Sequence, residues 1–155
     1  MLHISCSVYN LSMRYLGIDF GSKRVGLALS DESGTLAFPH SVIKNDNTLL
    51  VQIGNIVKEQ KVGLIVIGES KDFKGEDNPI AEQAESFKKA LETSTRVKVE
   101  YEPEFLTSVQ AERKQSRRPH GSRGSGLRAE HRRRNEMLDA SAAAIILQSF
   151  LDRKS

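Results

Sequence analysis

The segment Tyr15-Leu-Gly-Ile-Asp-Phe-Gly-Ser-Lys-Arg-Val-Gly-Leu-Ala-Leu-Ser-Asp31 sets the architecture that the remainder of the chain completes. Two apolar runs, Tyr15 to Ile18 and Val25 to Leu29, flank the tight segment Gly21-Ser22-Lys23-Arg24, which is the pattern of a β-hairpin. Asp19 is out of place in the first run. A carboxylate within an apolar strand carries a desolvation cost of several kcal/mol unless it is paired, hydrogen-bonded or bound to a metal. The ordinary account is a turn aspartate that bonds its own backbone, since Gly21 and Ser22 follow closely. The sharper account is an acid presented at a sheet edge or cleft between Gly17 and Gly21, where side-chain-free backbone admits a ligand. A hard cation such as Mg²⁺ suits such a group.

Beyond the hairpin, a turn at Glu32-Ser33-Gly34 leads into a third antiparallel strand reaching Ile43 and interrupted by Pro39. Asn47 or Thr48 caps a helix with Leu49, Leu50, Ile53, Ile56 and Val57 on one face. The continuous run Val62 to Gly68 has the β-branched character of a strand buried on both faces, parallel to the first, and it ends at Glu69. Asn78-Pro79 starts a second helix with Ile80, Ala84, Phe87 and Leu91 along one face. Val97, Val99 and Tyr101 alternate with charged residues as a fifth strand that stops at Pro103-Glu104. Thr107 with Gln110 fits a capping box for a third helix, and a last helix runs from about Asn135 to Leu151. This order predicts an α/β fold, a central mixed five-stranded sheet with three antiparallel and then parallel strands, covered by helices on both faces.

The chain of 155 residues fits one domain, spanning 13–152, and its 38% hydrophobic and 28% charged residues are those of a soluble protein. No apolar run approaches the roughly 20 residues that cross a bilayer, so no membrane partner is expected. Residues 1–12 lack the basic start and long apolar core of a secretory signal and read as a disordered extension, with Met13 an alternative start. The single cysteine, Cys6, excludes an internal disulfide and a cysteine zinc site and suits a reducing cytoplasm.

The net charge of +3 is unevenly spread. Arg113, Lys114, Arg117, Arg118, Arg123, Arg128, Arg132, Arg133 and Arg134 are interrupted by one acid, Glu130, while the remaining 14 basic and 19 acidic residues leave the rest of the chain at about −5. Gly121, Gly124, Gly126, Ser122, Ser125 and Pro119 make residues 117–134 read as a flexible loop. A basic run is often only a solvated face. On an otherwise acidic domain, an arginine-rich loop points more naturally to phosphate backbone contacts.

Function in such sheets gathers at the carboxyl ends of the central parallel strands. Glu69 closes the fourth strand and Glu104 the fifth, Asp19 lies in the first, and Asp139 lies in the first turns of an otherwise apolar last helix. Each has an ordinary reading: the glutamates as solvated loop residues, Asp139 as an acid favoured near a helix N-terminus. Four convergent carboxylates would repel unless cations neutralise them. Paired Mg²⁺ or Mn²⁺ ions about 4 Å apart would clamp the attacking and leaving oxygens at a phosphodiester.

Three segments in order carry a resemblance: Leu16-Gly-Ile-Asp-Phe-Gly-Ser-Lys-Arg-Val-Gly-Leu-Ala, Phe105-Leu-Thr-Ser and Asp139-Ala-Ser-Ala-Ala-Ala-Ile-Ile-Leu-Gln. From about Met13 to Asp152 the chain resembles the YqgF/RuvX family of Holliday-junction-resolvase-like proteins, whose fold is that of ribonuclease H and whose bacterial members are described as candidate pre-16S rRNA nucleases. The resemblance implies a Mg²⁺- or Mn²⁺-dependent nuclease of ribosome maturation, with Asp19, Glu104 and Asp139 as catalytic metal ligands and Glu69 a lower-ranked fourth. Lys23, Arg24 and the arginine loop, Arg117 to Arg134, would hold the strand. Two departures stand out: Pro103 and Phe105 replace the aspartate and arginine of the family's Asp-Glu-Arg-Leu-Thr-Ser segment, and Gly68-Glu69-Ser70 replaces Gly-Leu-Pro. A resolvase of four-way DNA junctions and a non-catalytic nucleic-acid-binding protein of the same fold are the alternatives, and the chain is expected as a monomer or homodimer.

Overall fold

The structure, a computed structural model, describes residues 13–69, 79–103 and 125–154, and for residues 69, 79–81 and 125–128 the backbone alone. The extension 1–12, the cap at Asn78, Glu104, the helix expected from Thr107, and Arg117, Arg118 and Arg123 lie outside the described residues.

The hairpin forms as its alternation dictates. β1 (Arg14–Phe20) pairs antiparallel with β2 (Arg24–Ser30), with Asp19 opposite Gly26 and Phe20 opposite Val25. β2 pairs with β3 (Ala37–Lys44), where the register shifts between Leu27 and Ala28 and Pro39 sits on the outer strand. An edge strand tolerates a residue without an N–H. Asp31 organises the preceding turn by accepting Ser33 Oγ at 2.7 Å and the Thr35 amide at 2.8 Å, which holds its carboxyl well below the ordinary carboxylate range.

β4 (Val62–Glu69) runs parallel to β1, and β5 (Lys98–Pro103) runs parallel to β4. The sheet order is β3-β2-β1-β4-β5, the mixed five-stranded arrangement expected. Leu16, Ile18, Leu27, Ile65, Ile67 and Val99 face α1 (Leu49–Glu59) and α2 (Pro79–Thr95), which contribute Leu49, Ile53, Val57, Ala84, Phe87 and Leu91. Thr48 makes no side-chain cap on α1. Asp46 takes that role, accepting the Thr48 amide at 2.9 Å and its hydroxyl at 2.6 Å, which lowers the Asp46 pKa.

The other face belongs to α3 (Ser125–Lys154), which packs Ala143, Ala144, Ile146, Leu147, Phe150 and Leu151 on Tyr15, Ala28 and Val66. This helix starts ten residues before the expected boundary, so residues 125–134 are helical and not part of a loop. Glycines and serines at 121–126 mask the start, while the following arginines favour helix and Arg132 pairs with Glu136 at 3.2 Å, one turn on.

Candidate metal and nucleic-acid site

α3 runs antiparallel to β1, and the sheet beneath it is built from residues small enough to let a helix backbone approach. A methyl group added to Gly17 would lie 2.7 Å from Leu147 Cβ and 2.9 Å from the Ala143 carbonyl oxygen. One added to Gly26 would lie 2.1 Å from the Asp139 carbonyl oxygen. Asp139 therefore rests directly over Gly26, and Gly26 is the cross-strand partner of Asp19. Opposed residues of an antiparallel pair share a sheet face. Asp19, half-buried, thus stands on the α3 face beside the helical turn that carries Asp139.

Asp139 is 5% exposed and lies near the middle of α3. The reading of it as an acid near a helix N-terminus is overturned, because the dipole effect is confined to the first turn. Its counter-charge comes from β2: Arg24 Nε donates to Asp139 Oδ2 at 3.1 Å. Arg24 follows a hairpin tip that Asn45 fastens, donating from Nδ2 to the Gly21 carbonyl at 2.8 Å and from its amide to the Lys23 carbonyl at 3.0 Å. Lys23 is exposed at that tip.

Glu69 ends β4 opposite Pro103, the last residue of β5, and Glu104 lies outside the described residues. Among the described residues no three histidine, cysteine or acidic side chains stand close enough together to hold a metal ion. The structure brings Asp19 and Asp139 to one place, and it places the backbone of Glu69 at the neighbouring strand end. The donor chemistry still fits a hard divalent cation, since both acids offer carboxylate oxygens and a guanidinium already stands as a stand-in cation against Asp139.

The arginines divide into two groups. Arg128 belongs to the backbone of α3, and Arg132, Arg133 and Arg134 are exposed on the part of α3 that precedes its packed half. About 10 Å of helix separates Arg132 from Asp139, so these cations stand off the same end of the sheet as the two acids. An open cleft lined by Arg14, Asp31, Phe38, His40 and Gln60 lies at the opposite end of β1 and includes none of the candidate residues.

One buried acid escaped the sequence reading. Glu102 is 2% exposed and accepts Ser149 Oγ at 3.1 Å and Arg153 Nη2 at 2.5 Å, tying β5 to the C-terminal part of α3. The alternation Val97, Val99, Tyr101 marks one covered face, and although helices are expected on both faces, nothing in the sequence shows which of the charged residues between them meets α3. Arg153→Ala is expected to lower stability by about 1–3 kcal/mol in urea unfolding, since it leaves a buried carboxylate short of a partner, whereas Glu102→Leu removes the charge and costs less.

A family model described as "RuvX: Holliday junction resolvase" matches residues 13–153. The chain belongs to the RuvX family. The resemblance read from the three motifs is borne out, and RuvX is a family of nucleases and resolvases. A curated relative from Streptococcus agalactiae, named "Putative pre-16S rRNA nuclease", is 36% identical over 145 residues, covering 91% of this chain and 99% of the relative. A relative from Maridesulfovibrio salexigens with the same name is 36% identical over 143 residues, with the same coverage. Among solved structures, Thermus thermophilus RuvC in complex with a Holliday junction substrate aligns with a TM-score of 0.54 and 17% identity, over 92% of this chain and 96% of that one. The RuvX chain therefore has the RuvC-like, ribonuclease H-like fold.

Proposed function

We propose that this RuvX protein is a divalent-metal-dependent nuclease that hydrolyses phosphodiester bonds in RNA, acting in the cytoplasm on the 5′ end of pre-16S rRNA. The observation that carries the reading is the placement of half-buried Asp19 opposite Gly26, directly beneath buried Asp139. The relatives named for pre-16S rRNA support the choice of substrate. Asp19 and Asp139 would hold Mg²⁺ or Mn²⁺ together with Glu104, and Glu69 is the fourth candidate. A cation held there would neutralise charge on the phosphate and supply an activated water at the phosphorus.

The chain's own contribution is positional. The β1–β2 register fixes Asp19, the glycine floor fixes Asp139, and the Asn45 contacts fix the hairpin tip, where Lys23 is exposed and from which Arg24 reaches in to Asp139. Lys23, Arg24, Arg128, Arg132, Arg133 and Arg134, with Arg117, Arg118 and Arg123, would bind successive phosphates of the strand. Such binding weakens as salt rises.

The test is cleavage of a labelled ribosomal RNA precursor and, in parallel, of a four-way DNA junction, each with Mg²⁺, with Mn²⁺ and with EDTA. Metal-dependent cutting of the RNA alone is expected. Cutting of the junction alone would move the protein to the resolvase reading, which the family's description also allows. Binding without cutting under any metal would overturn the catalytic reading.

A further inference from the structure

The contact between Arg24 and Asp139 is unusual in its asymmetry. The Asp139 side chain is 7% exposed and that of Arg24 41%, so a buried carboxylate takes its counter-charge from a side chain that reaches in from solvent. The buried acid sits on a helix backbone that lies directly over Gly26, which leaves that backbone no room to approach the sheet further. The arginine can move, because it opens β2 beside an exposed hairpin tip and the contact runs through Nε to a single oxygen, Oδ2. A divalent cation drawn to Asp139 would meet this guanidinium as a competitor for the same oxygen. Two cations held on one carboxylate oxygen repel, and the one tethered by a long, half-exposed stem is the one that leaves. A guanidinium released there stands at the acid cluster, with five donors in a fork that matches phosphate oxygens.

We propose that Arg24 is an internal counter-cation for Asp139 which a divalent metal ion displaces, and that the displaced guanidinium takes hold of a phosphate of the bound nucleic-acid strand. This rests on the nuclease reading given above and adds its regulation. Metal and nucleic acid bind with positive coupling through one side chain, and the charge of Asp139 is balanced until both arrive. Coupling of this kind is reciprocal, so each ligand strengthens the other by the same factor.

The coupling separates from simple charge repulsion in a double-mutant cycle. Binding of a fluorescently labelled single-stranded RNA is measured by anisotropy, in EDTA and at one fixed salt concentration, for the wild type, Asp139→Asn, Arg24→Gln and the double variant. Asp139→Asn releases Arg24 and is expected to tighten binding about tenfold, a typical size for coupled sites, while in the Arg24→Gln background the same substitution gives only the smaller gain that relief of charge repulsion supplies. An equal gain in both backgrounds would mean that repulsion alone is at work and would overturn the proposal. A second measurement needs no nucleic acid: calorimetric titration with Mn²⁺, in which Arg24→Gln is expected to bind about tenfold tighter than wild type because the competitor is gone. Unchanged or weaker Mn²⁺ binding by a folded Arg24→Gln variant overturns the displacement step. A wild type that binds neither RNA nor junction DNA overturns the nuclease reading instead, and the Mn²⁺ titration then decides separately whether Arg24 competes for the site.

Discussion

Asp19→Asn is expected to lower the rate of RNA cleavage about a thousandfold, roughly 4 kcal/mol in the barrier, while leaving the fold and RNA binding intact. The substitution is isosteric and keeps a polar group in the strand. It removes the charge on which a hard cation depends, so the loss falls on the chemical step and not on strand binding. Affinity for RNA should stay the same or rise, since a negative charge has been taken from the phosphate path. The competing account, an aspartate that only bonds neighbouring backbone, predicts the opposite. Asparagine serves such a turn as well as aspartate, and the rate would not change. A variant that cuts at the wild-type rate, assayed with Mg²⁺ and with Mn²⁺, would therefore remove Asp19 from the site.

The hairpin, the three antiparallel strands and the parallel β4 were legible because alternation and continuous β-branched runs record which faces are covered. Asp19 was legible for the opposite reason, as the one residue that breaks the pattern of its strand. Asp139 was found as an acid in an apolar helix, but its environment was misread, because the Gly/Ser segment conceals where α3 begins. The true start puts Asp139 far from any helix end and makes Arg24, remote in sequence, its counter-ion. No local pattern announces such a pair. Glu102 illustrates a further limit: both faces of the sheet are expected to be covered, but local alternation does not show which charged residue of β5 is buried under the second layer.

The glycines matter as much as the acids, and Gly26→Ala should show it. The added methyl would lie 2.1 Å from the Asp139 carbonyl oxygen, 2.6 Å from its carbonyl carbon and 3.2 Å from the Ala140 nitrogen. All three are backbone atoms of α3, so no rotamer change can make room, and the helix itself must lift from the sheet. Gly68 is a built-in comparison, since a methyl there would meet the Ile146 side chain, first Cδ1 at 2.4 Å, and that chain can turn aside. Gly26→Ala is expected to destabilise by about 2–3 kcal/mol and Gly68→Ala by about 1 kcal/mol, read from urea midpoints at unchanged slope. The sharper expectation concerns activity per folded molecule. Lifting α3 at Asp139 moves one carboxylate away from Asp19, and displacements on the order of 1 Å at a catalytic centre cost about a hundredfold in rate. Gly26→Ala should therefore cut RNA far more slowly than Gly68→Ala even under conditions where both are fully folded. Equal rates would mean that the spacing between β2 and α3 does not set the geometry of the acid pair.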